Sequence, residues 1–460
     1  MLLIDPKDSR PVHFMGIAGA GMSALAELCK RRGAAVTGCD QHAEGAADLV
    51  ALGIRVSEGH DAAHVDGHRA LVVSSAIPKN HPEIARAREL GIPVIRRAEA
   101  LAEATAGGTL IGIAGTHGKS TTTVMTTDAL AAAGLRPTGV VGARVTAWNG
   151  NLSAGGNDVF VVEADEYDRS FLALKPDVAV VTNVEADHLD IYRDLDDLRG
   201  AFTQFVSGAR WIVLCADQPN ANALRTPASA EVVRYGIASI EARLVARKIV
   251  TSDGRTSFDV HFDSERAGQV TIGAVGEHNV LNALAALGVG ISRFGAKVEQ
   301  MAPGLASFAG AERRFQRLGT ARGVTVIDDY AHHPTEIRAT LSAARLAYPG
   351  RRIVVAFQPH LYSRTRDFAS EFGLALAKAD QLFLADIYPA REQPIAGVTS
   401  QLIAESSTIA GRRPAWMGMR TDLAPALASA VKDGDVVLTV GAGDVTKTGP
   451  ELLALLAPSR

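Results

Sequence analysis

The stretch GIAGTHGKSTTT at residues 112–123 constrains this chain more than any other. Glycines frame Lys119, an apolar run precedes the loop, and a hydroxyl-rich segment follows it. Backbone amides at a helix start can cradle phosphate oxygens, a lysine can reach the terminal phosphates, and a serine hydroxyl can bind magnesium. The standard pattern has a glycine five residues before Gly118, where this chain has Ile113, so the loop is a variant of the phosphate-binding type.

The nucleotide is expected to be ATP, because the guanine-reading motif N-K-x-D does not occur in the sequence. The residues predicted to hold its phosphates are those of the loop and the first helical turn: Gly115, Thr116, His117, Gly118, Lys119, Ser120 and Thr121. A metal that accompanies the phosphates needs further oxygen or nitrogen ligands. The strand VFVVEAD delivers Glu163 to the same sheet edge, and TNVEADHLD delivers Asp187 and His188.

The length of 460 residues predicts two to four domains. Short apolar runs alternate with helical stretches throughout, as in VHFMGI followed by a helix through Ala24 to Arg32, which is typical of α/β proteins with parallel sheets. We expect domains at 1–106, 107–312 and 313–460. The middle one is predicted to add antiparallel strands around TSFDVHFD to its mostly parallel sheet.

Charge and cysteine content exclude several classes of protein. A net charge of -3 argues against a nucleic-acid binder. The three cysteines form no C-x-x-C pair, which suits a reducing cytoplasm. No uncharged apolar run reaches the roughly 18 residues of a membrane span, and the first ten residues carry charges where a signal peptide is apolar. We therefore expect a cytoplasmic protein without membrane or nucleic-acid partners.

A second glycine cluster, MGIAGAGMSALA, follows the first predicted strand. Gly16, Gly19 and Gly21 could bring the backbone close to a pyrophosphate, and Asp40 at the next strand end could meet ribose hydroxyls. The spacing G-x-x-G-x-G differs from the G-x-G-x-x-G of NAD sites, so NAD is not implied. Glycines in such a turn also serve packing alone, which remains the alternative.

Three polar motifs occur farther along the chain. GEHNVLNA places His278 and Asn282 on one helical face, where amides could read an adenine edge or simply cap the helix. DDYAHHPTE ends a strand, and its adjacent histidines have poor geometry for chelating a metal, which favours substrate contact or capping. QPHLYSRTRD carries Arg364 and Arg366, which suit a carboxylate or phosphate but could equally be solvated.

Taken together, these motifs resemble the ATP-dependent Mur ligases of peptidoglycan synthesis. Nearly the whole chain carries the resemblance in family order: MGIAGAGMSALA, VVSSAIP, GTHGKSTTT, EADEYDRSF, TNVEADHLDIY, GEHNVLNALAA, ERRFQ, DDYAHHPTE and QPHLYSRTRD. The resemblance implies a Rossmann-like N-terminal domain for a UDP-sugar, a central P-loop ATPase-like domain and a Rossmann-like C-terminal domain for an amino-acid substrate.

The resemblance also implies roles for individual residues. Lys119, His188, Arg314 and His332 would be catalytic, and Ser120, Glu163 and His188 would bind two magnesium ions. Beyond the loop, the ATP contacts would be His278, Asn279, Asn282, Arg314 and Asp329. The UDP-sugar contacts would be Gly16, Gly19, Ala20, Gly21, Asp40, Ser75 and Ala76. The amino-acid substrate would meet Tyr330, His332, Arg364 and Arg366.

The implied reaction joins L-alanine to the lactyl carboxylate of UDP-N-acetylmuramate through an acyl phosphate, in a monomer or homodimer. Several relatives bind the second magnesium through a carbamylated lysine some fifteen residues after the histidine. This chain has no lysine between Lys175 and Lys248, as expected of the alanine-adding branch. The alternatives are a ligase that attaches a recycled tripeptide to the same sugar, a non-enzymatic ATP-driven switch, and an NAD-dependent oxidoreductase.

Overall fold

The structure is a computed structural model that describes residues 3–5, 7–74, 77–189, 191–390 and 392–457. The described strands form three sheets of five, ten and six strands, most of them parallel. The predicted α/β class is thereby confirmed. Packing divides the chain into two compact units, Met1–Val250 with Ser257–Gly273 and Asn279–Ala309, and Thr251–Thr256 with Ala274–His278 and Gly310–Arg460. The predicted domain boundaries after residues 106 and 312 stay predictions.

The first sheet is entirely parallel and has the order β3-β2-β1-β4-β5. Its strands are β1 Val12–Met15, β2 Val36–Asp40, β3 Arg55–Glu58, β4 Ala70–Val73 and β5 Val94–Arg96. Its helices are α1 Ala20–Arg31, α2 Ala47–Ala51, α3 Pro82–Glu89 and α4 Arg97–Ala104. Helix α1 begins at Ala20, with Gly19 as its N-cap, so Gly21 lies inside the helix rather than in the turn before it.

The second sheet has the order β15-β14-β13-β12-β11-β10-β6-β9-β7-β8. Its strands are β6 Thr109–Ala114, β7 Thr138–Val145, β8 Gly150–Ser153, β9 Val159–Glu163, β10 Val178–Val181, β11 Trp211–Cys215, β12 Glu231–Gly236, β13 Leu244–Ser252, β14 Arg255–Phe262 and β15 Glu265–Ile272. In this order, each strand from β13 through β12, β11, β10, β6 and β9 to β7 is parallel to the next. Strand β8 is antiparallel to β7. The accompanying helices are α5 Lys119–Ala132, α6 Leu195–Val206, α7 Pro219–Asn222, α8 Glu277–Phe294 and α9 Val298–Ala306.

The third sheet has the order β16-β17-β21-β18-β19-β20, with only β16 antiparallel to its neighbour. Its strands are β16 Gln316–Ala321, β17 Val324–Asp329, β18 Ile353–Phe357, β19 Gln381–Ala385, β20 Trp416–Gly418 and β21 Val436–Val440. Its helices are α10 Pro334–Ala347, α11 Tyr362–Asp367, α12 Ala369–Leu376, α13 Gln401–Ile409, α14 Arg420–Ala430 and α15 Thr448–Leu456.

Central strands of all three sheets are buried along their full length, as in β4, β10 and β18. Burial on both faces is typical of parallel sheets covered by helices, and it explains the continuous runs of valine, isoleucine and leucine in the sequence. Among the described residues, no helix combines the length and the apolar character that crossing a bilayer requires.

Asp128 in α5 makes stability depend on pH. Its carboxylate accepts a hydrogen bond from Trp148 Nε1 at 3.2 Å, but burial raises its pKa to about 6. An unfolded aspartate titrates near 3.9, so the folded state holds the proton more tightly and the free energy of unfolding falls as pH rises between these values. We expect Asp128→Asn to stabilise the protein by on the order of 2 kcal/mol at about pH 8 and very little at about pH 4. Thermal unfolding of the wild type and of Asp128→Asn at each pH measures the two stability changes. Equal changes in melting temperature at the two pH values would contradict the raised pKa of Asp128.

Candidate active site

The predicted phosphate loop connects β6 to α5 at the point where the second sheet reverses its strand order. Strand β6 lies between β9 and β10, so the loop sits at the carboxyl ends of three parallel strands. Ligands of open α/β sheets bind in this kind of crevice. Gly118 is the N-cap of α5, and the first helical hydrogen bond runs from Thr122 N to Gly118 O. The amides before it, those of Lys119, Ser120 and Thr121, precede the helical ladder and can meet an anion.

The shape of the loop requires its glycines. Gly115 has a φ of +141°, and a Cβ there would overlap Thr182 Oγ1. Gly118 has a φ of +82°, and a Cβ there would lie 2.7 Å from Asn282 Oδ1. Both residues therefore combine a backbone conformation that side chains disfavour with close approach of a neighbour.

Residues that follow β10 fix the loop from one side. Asn183 O and Oδ1 accept hydrogen bonds from the amides of Thr116 and His117, at 3.1 and 2.7 Å. Thr182 Oγ1 and Asn183 Nδ2 both donate to His117 O, at 2.6 and 3.0 Å. The amide of His117 therefore donates to Asn183 and is not available to a phosphate. The amides at the start of α5 are the ones that can bind a ligand.

Lys119 is a partly buried cation, its side chain 14% exposed, that is held by carboxylate and carbonyl oxygens. Its Nζ donates to Gly115 O at 2.7 Å and to Glu166 Oε2 at 2.8 Å. Burial opposes the charged form, but the carboxylates of Glu166, Asp165 and Glu163 outweigh it and raise the pKa of Lys119. Burial also raises the pKa of Glu166, whose side chain is 2% exposed. Glu166 is not among the predicted site residues, although it belongs to the same acidic segment, three residues after Glu163.

Glu163 ends β9 and faces the start of α5. Ser120 Oγ donates to both of its carboxylate oxygens at 3.1 Å, and Gly142 N donates to Oε2 at 2.7 Å. A hydroxyl and a carboxylate that meet beside helix-start amides are the ligand types that a hard divalent cation prefers. The structure thus brings together two of the three predicted magnesium ligands.

His188, the third predicted ligand, lies on the other side of Glu166. Its Nε2 is 3.7 Å from Glu166 Oε1 and 3.9 Å from Asp187 Oδ2. Its backbone has a φ of +53°, a conformation that residues other than glycine seldom adopt and that clusters at functional sites. Tyr192 supports the arrangement, since its hydroxyl donates to Glu166 O at 2.6 Å. Lys119 and His188 therefore share one carboxylate, at the carboxyl ends of β6 and β10.

Asn279 and Asn282 of helix α8 were predicted to contact adenine, and the structure links them to the start of α5. Asn282 Oδ1 accepts from Thr122 Oγ1 at 3.1 Å, and Asn282 Nδ2 donates to Asn279 Oδ1 at 3.3 Å. Asn282 thus supports the start of α5, and its reading of adenine stays a prediction. His278, one turn earlier in the chain, is half-buried, and desolvation of its ring lowers its pKa to about 4, which keeps the ring neutral.

The glycine cluster of the first sheet is closed by Asp40. Asp40 Oδ2 accepts from Ala18 N at 2.9 Å, and Gly16 takes a φ of +76°. In this structure the Asp40 carboxylate binds the backbone of the turn itself. The contact of Asp40 with ribose stays a prediction. Nearby, a cavity of about 430 Å³ beside β4 and β5 is lined in part by Lys79, Arg88 and Arg96. The predicted contacts Ser75 and Ala76 lie outside the described residues.

Predicted residues of the third sheet gather where β17 ends. The buried carboxylate of Asp329 accepts from Ala331 N at 2.8 Å, and burial raises its pKa to about 6 against the opposing charge of Arg314. The Arg314 guanidinium lies 5.2 Å from the Tyr330 ring centroid. His332 Nδ1 is 3.3 Å from Glu336 Oε2, and Glu336 is not among the predicted site residues.

The two predicted arginines differ in their surroundings. Both lie on α11, but Arg364 is 5% exposed and has Nη1 3.3 Å from His360 Nδ1. Arg366 is exposed and pairs with its neighbour Asp367 at 2.7 Å. Burial and the contact with His360 therefore fix the position of Arg364. Arg366 pairs with the next residue in the chain.

Gly118→Ala tests the close approach at the loop, and Gly134→Ala is its matched control. Gly134 follows the other end of α5 with a φ of +88° and no atom near its virtual Cβ. We expect each substitution to cost about 1–2 kcal/mol through its backbone alone. Only Gly118→Ala also meets Asn282, so we expect it to weaken ATP binding at least about tenfold relative to the control. Calorimetric titration with ATP measures this, and equal affinities would refute the role of the loop.

Comparison with known proteins agrees with this geometry. Residues 11–109, 113–290 and 313–443 match the descriptions "Mur ligase family, catalytic domain", "Mur ligase middle domain" and "Mur ligase, glutamate ligase domain". The chain is 44% identical over 454 residues to an Anaeromyxobacter protein named UDP-N-acetylmuramate--L-alanine ligase, covering 97% of this chain and 98% of the relative. A Salinibacter ruber protein of the same name is 43% identical, covering 97% and 95%.

Solved structures give the same result. UDP-N-acetylmuramate-alanine ligase from Thermotoga maritima superimposes with a TM-score of 0.81 at 28% identity, covering 96% of this chain and 98% of that one. A murein peptide ligase from Psychrobacter arcticus reaches a TM-score of 0.71 at 23% identity, covering 98% and 99%, which is a likeness of fold. With family matches over most of its length and relatives above 40% identity, the chain belongs to the Mur ligase family.

Proposed function

We propose that this chain is an ATP-dependent ligase that joins L-alanine to the lactyl carboxylate of UDP-N-acetylmuramate, releasing ADP and phosphate, in peptidoglycan synthesis. The observation that carries the proposal is the convergence of Lys119, Ser120, Glu163 and His188 at the carboxyl ends of β6, β9 and β10. The names of the full-length relatives support the choice of substrates.

A carboxylate resists attack by an amine because its negative charge repels the nucleophile and it has no leaving group. Transfer of the γ-phosphoryl group of ATP to the lactyl carboxylate supplies a leaving group and gives an acyl phosphate and ADP. The neutral amine of L-alanine then attacks the acyl carbon. Phosphate leaves, and the amine loses its proton as the amide forms. Positioning and charge neutralisation provide most of the rate enhancement in such a reaction.

The residues around the loop fit magnesium by their chemistry. Ser120 and Glu163 would hold one ion, and His188 would contribute to a second. When bound, such ions neutralise charge on phosphate oxygens. The chain's own share is the cation of Lys119 and the amides at the start of α5, which would grip the terminal phosphates. Glu166 would hold Lys119 in place until nucleotide phosphates compete for it.

The two substrates are assigned to the first and third sheets. We assign the sugar nucleotide to the first sheet, at the turn after β1 with Gly16 and Gly19, at the start of α1 with Ala20 and Gly21, and at Asp40, which ends β2. Basic side chains line a neighbouring cavity. L-alanine is assigned to the third sheet, at Tyr330, His332, Arg364 and Arg366. His332 is our candidate for the base that accepts the ammonium proton, and Glu336 beside Nδ1 would stabilise the imidazolium.

We place the enzyme in the cytoplasm. All three cysteines are free and buried, which suits a reducing compartment.

Phosphate release from the purified protein tests the proposal. We expect release only when ATP, Mg²⁺, UDP-N-acetylmuramate and L-alanine are all present, with the alanyl product identified by mass spectrometry. Omitting one component at a time is the control. A preference for L-alanyl-γ-D-glutamyl-diaminopimelate over L-alanine would establish the tripeptide-attaching ligase instead. ATP binding without any product would establish the non-enzymatic switch.

A further inference from the structure

Histidines gather on one face of the first sheet, and none of them is among the residues assigned to a substrate or to ATP above. Five of the 13 histidines in the chain lie there: His13, His60, His64, His68 and His81. Cys39 and Glu83 complete the group, which we call the histidine cluster. Its members come from β1, β2, the segment after β3 and the start of α3, so only the folded sheet brings them together.

Four members present one ligand atom each to a common point. The ligand atoms of His13, Cys39, His64 and Glu83 all lie within 4.8 Å of one another. His13 Nε2 is 3.3 Å from Cys39 Sγ and 3.7 Å from Glu83 Oε2, while Glu83 Oε1 is 3.3 Å from Cys39 Sγ and 3.5 Å from His64 Nδ1. Ligands bound tetrahedrally to zinc at 2.0–2.3 Å are separated by roughly 3.3–3.8 Å. His13 Nε2, Cys39 Sγ and Glu83 Oε2 already lie 3.3–3.7 Å apart, since Cys39 Sγ is also 3.5 Å from Glu83 Oε2. With the ligand atoms of all four residues within 4.8 Å of one another, a small shift of the His64 ring would complete the tetrahedron.

Charge balance favours the same ligand. Glu83 is fully buried, and in the described part of the chain the ion-pair partners of its carboxylate are all imidazoles. A divalent cation bound by one thiolate, one carboxylate and two neutral imidazoles is electrically neutral as a whole, which lowers the cost of burying it.

Surrounding residues support the proposed ligands. His13 Nδ1 lies 2.9 Å from Thr37 Oγ1, which lies 2.8 Å from His68 Nε2, so this chain of contacts orients His13 with Nε2 toward the cluster. His60 Nδ1 lies 3.2 Å from Cys39 Sγ and 3.3 Å from Glu83 Oε1, within reach as a further ligand. Apolar side chains close the inner side: Met15, Val65, Leu71, Val73, Ile84 and Ala87. The partly exposed ring of His64 marks the solvent side.

We propose that His13, Cys39, His64 and Glu83 form a structural site for Zn²⁺ that ties β1 and β2 to the 3-10 turn Ala62–Val65 and helix α3. Binding transfers the Cys39 thiol proton to solvent, and the thiolate sulfur then bonds the metal. The thiol otherwise donates to Glu83 Oε1 at 3.3 Å. The site shares no residue with the phosphate loop, so it does not depend on the ligase assignment.

Cobalt(II) tests the site, because a cobalt–thiolate bond gives a charge-transfer band and a tetrahedral ion gives intense d–d bands. The chelator-treated full chain is titrated with Co²⁺ under reducing, oxygen-free conditions and then with Zn²⁺. We expect both bands to saturate at one Co²⁺ per chain and to disappear as Zn²⁺ replaces it. Cobalt at the phosphate loop, which offers no sulfur, would give no thiolate band.

Two variants with matched controls locate the metal. We expect Cys39→Ser to abolish the thiolate band, while Cys29→Ser, at another buried cysteine of the same domain, keeps it. Because His64 is partly exposed, His64→Ala is expected to fold, and to weaken Co²⁺ binding more than about 10-fold relative to His42→Ala, which alters an exposed ring. Circular dichroism establishes that each variant is folded.

Zn²⁺ should also raise the melting temperature of the chelator-treated wild type and of Cys29→Ser, but not that of Cys39→Ser. Absence of the thiolate band from the folded wild type would overturn the proposal, as would a band that survives in Cys39→Ser. A band lost equally in Cys29→Ser would overturn it too. In each of those cases the histidine cluster would be a hydrogen-bonded network without metal.

Discussion

Lys119→Ala is expected to lower substrate-dependent phosphate release by at least about 10²–10³-fold, the effect of removing one charge-stabilising donor from a transition state. Lys119 is the only lysine or arginine of the loop, residues 115–121. Without it, negative charge that develops on the transferring phosphoryl oxygens lacks its main partner from the chain. Phosphate release with all substrates at saturation measures the effect.

The same substitution also removes the partner of a buried carboxylate. Glu166 is 2% exposed and pairs with Lys119 at 2.8 Å, and breaking such a pair on one side costs about 3–5 kcal/mol. A loss of activity could therefore reflect a loss of fold. Lys119→Ala combined with Glu166→Gln separates the two effects, because a neutral amide in place of the carboxylate relieves the unpaired charge. We expect the double variant to regain stability and to stay inactive.

Lys175→Ala is the matched control, because Lys175 is an exposed lysine of the same domain. We expect it to retain wild-type phosphate release and melting temperature. If Lys119→Ala kept a rate within a few-fold of Lys175→Ala, the assignment of the phosphate loop would be wrong. If the double variant recovered activity with stability, Lys119 would be a structural residue.

Glu163→Gln is expected to lower phosphate release by about 10²-fold or more and to shift the Mg²⁺ requirement to higher concentration. Replacing a residue that merely orients a metal ligand typically costs 10–100-fold, so a direct ligand should cost at least the upper end of that range. Glutamine keeps an oxygen that can accept from Gly142 N, which limits the effect on folding. The measurement is phosphate release over a Mg²⁺ titration at fixed ATP.

Glu231→Gln, which alters an exposed glutamate at the start of β12, is the control for this second prediction. It should leave the Mg²⁺ dependence unchanged. A Glu163→Gln enzyme with the wild-type Mg²⁺ dependence would show that Glu163 holds Ser120 and Gly142 without binding metal.

The sequence sufficed for features that depend on local patterns. The βα alternation predicted parallel sheets, and the motif around Lys119 predicted a loop between a strand and a helix. Glu163 and His188 were predicted to meet at one sheet edge because both follow apolar strands, and the carboxyl ends of parallel strands lie together. The structure brings both to the loop, through Ser120 and Glu166 respectively.

Contacts that depend on the turns between elements could not be predicted. Glu166 pairs with Lys119 because the chain leaves β9 and folds back within three residues, and no periodicity encodes that reversal. Asp40 binds Ala18 N because the glycine turn passes directly beside the end of β2. The histidine cluster could not be predicted because its first ligand, His13, and its last, Glu83, are 70 positions apart in the sequence, and no short motif spans them.

A crystal structure with Mg²⁺ and a non-hydrolysable ATP analogue tests the central claim most directly. The account predicts that the terminal phosphate lies at the start of α5 within hydrogen-bond distance of Lys119 Nζ, that Lys119 has exchanged Glu166 for phosphate oxygens, and that Glu163 coordinates metal. A nucleotide bound elsewhere, with Lys119 still held by Glu166 and Gly115 O, would contradict it.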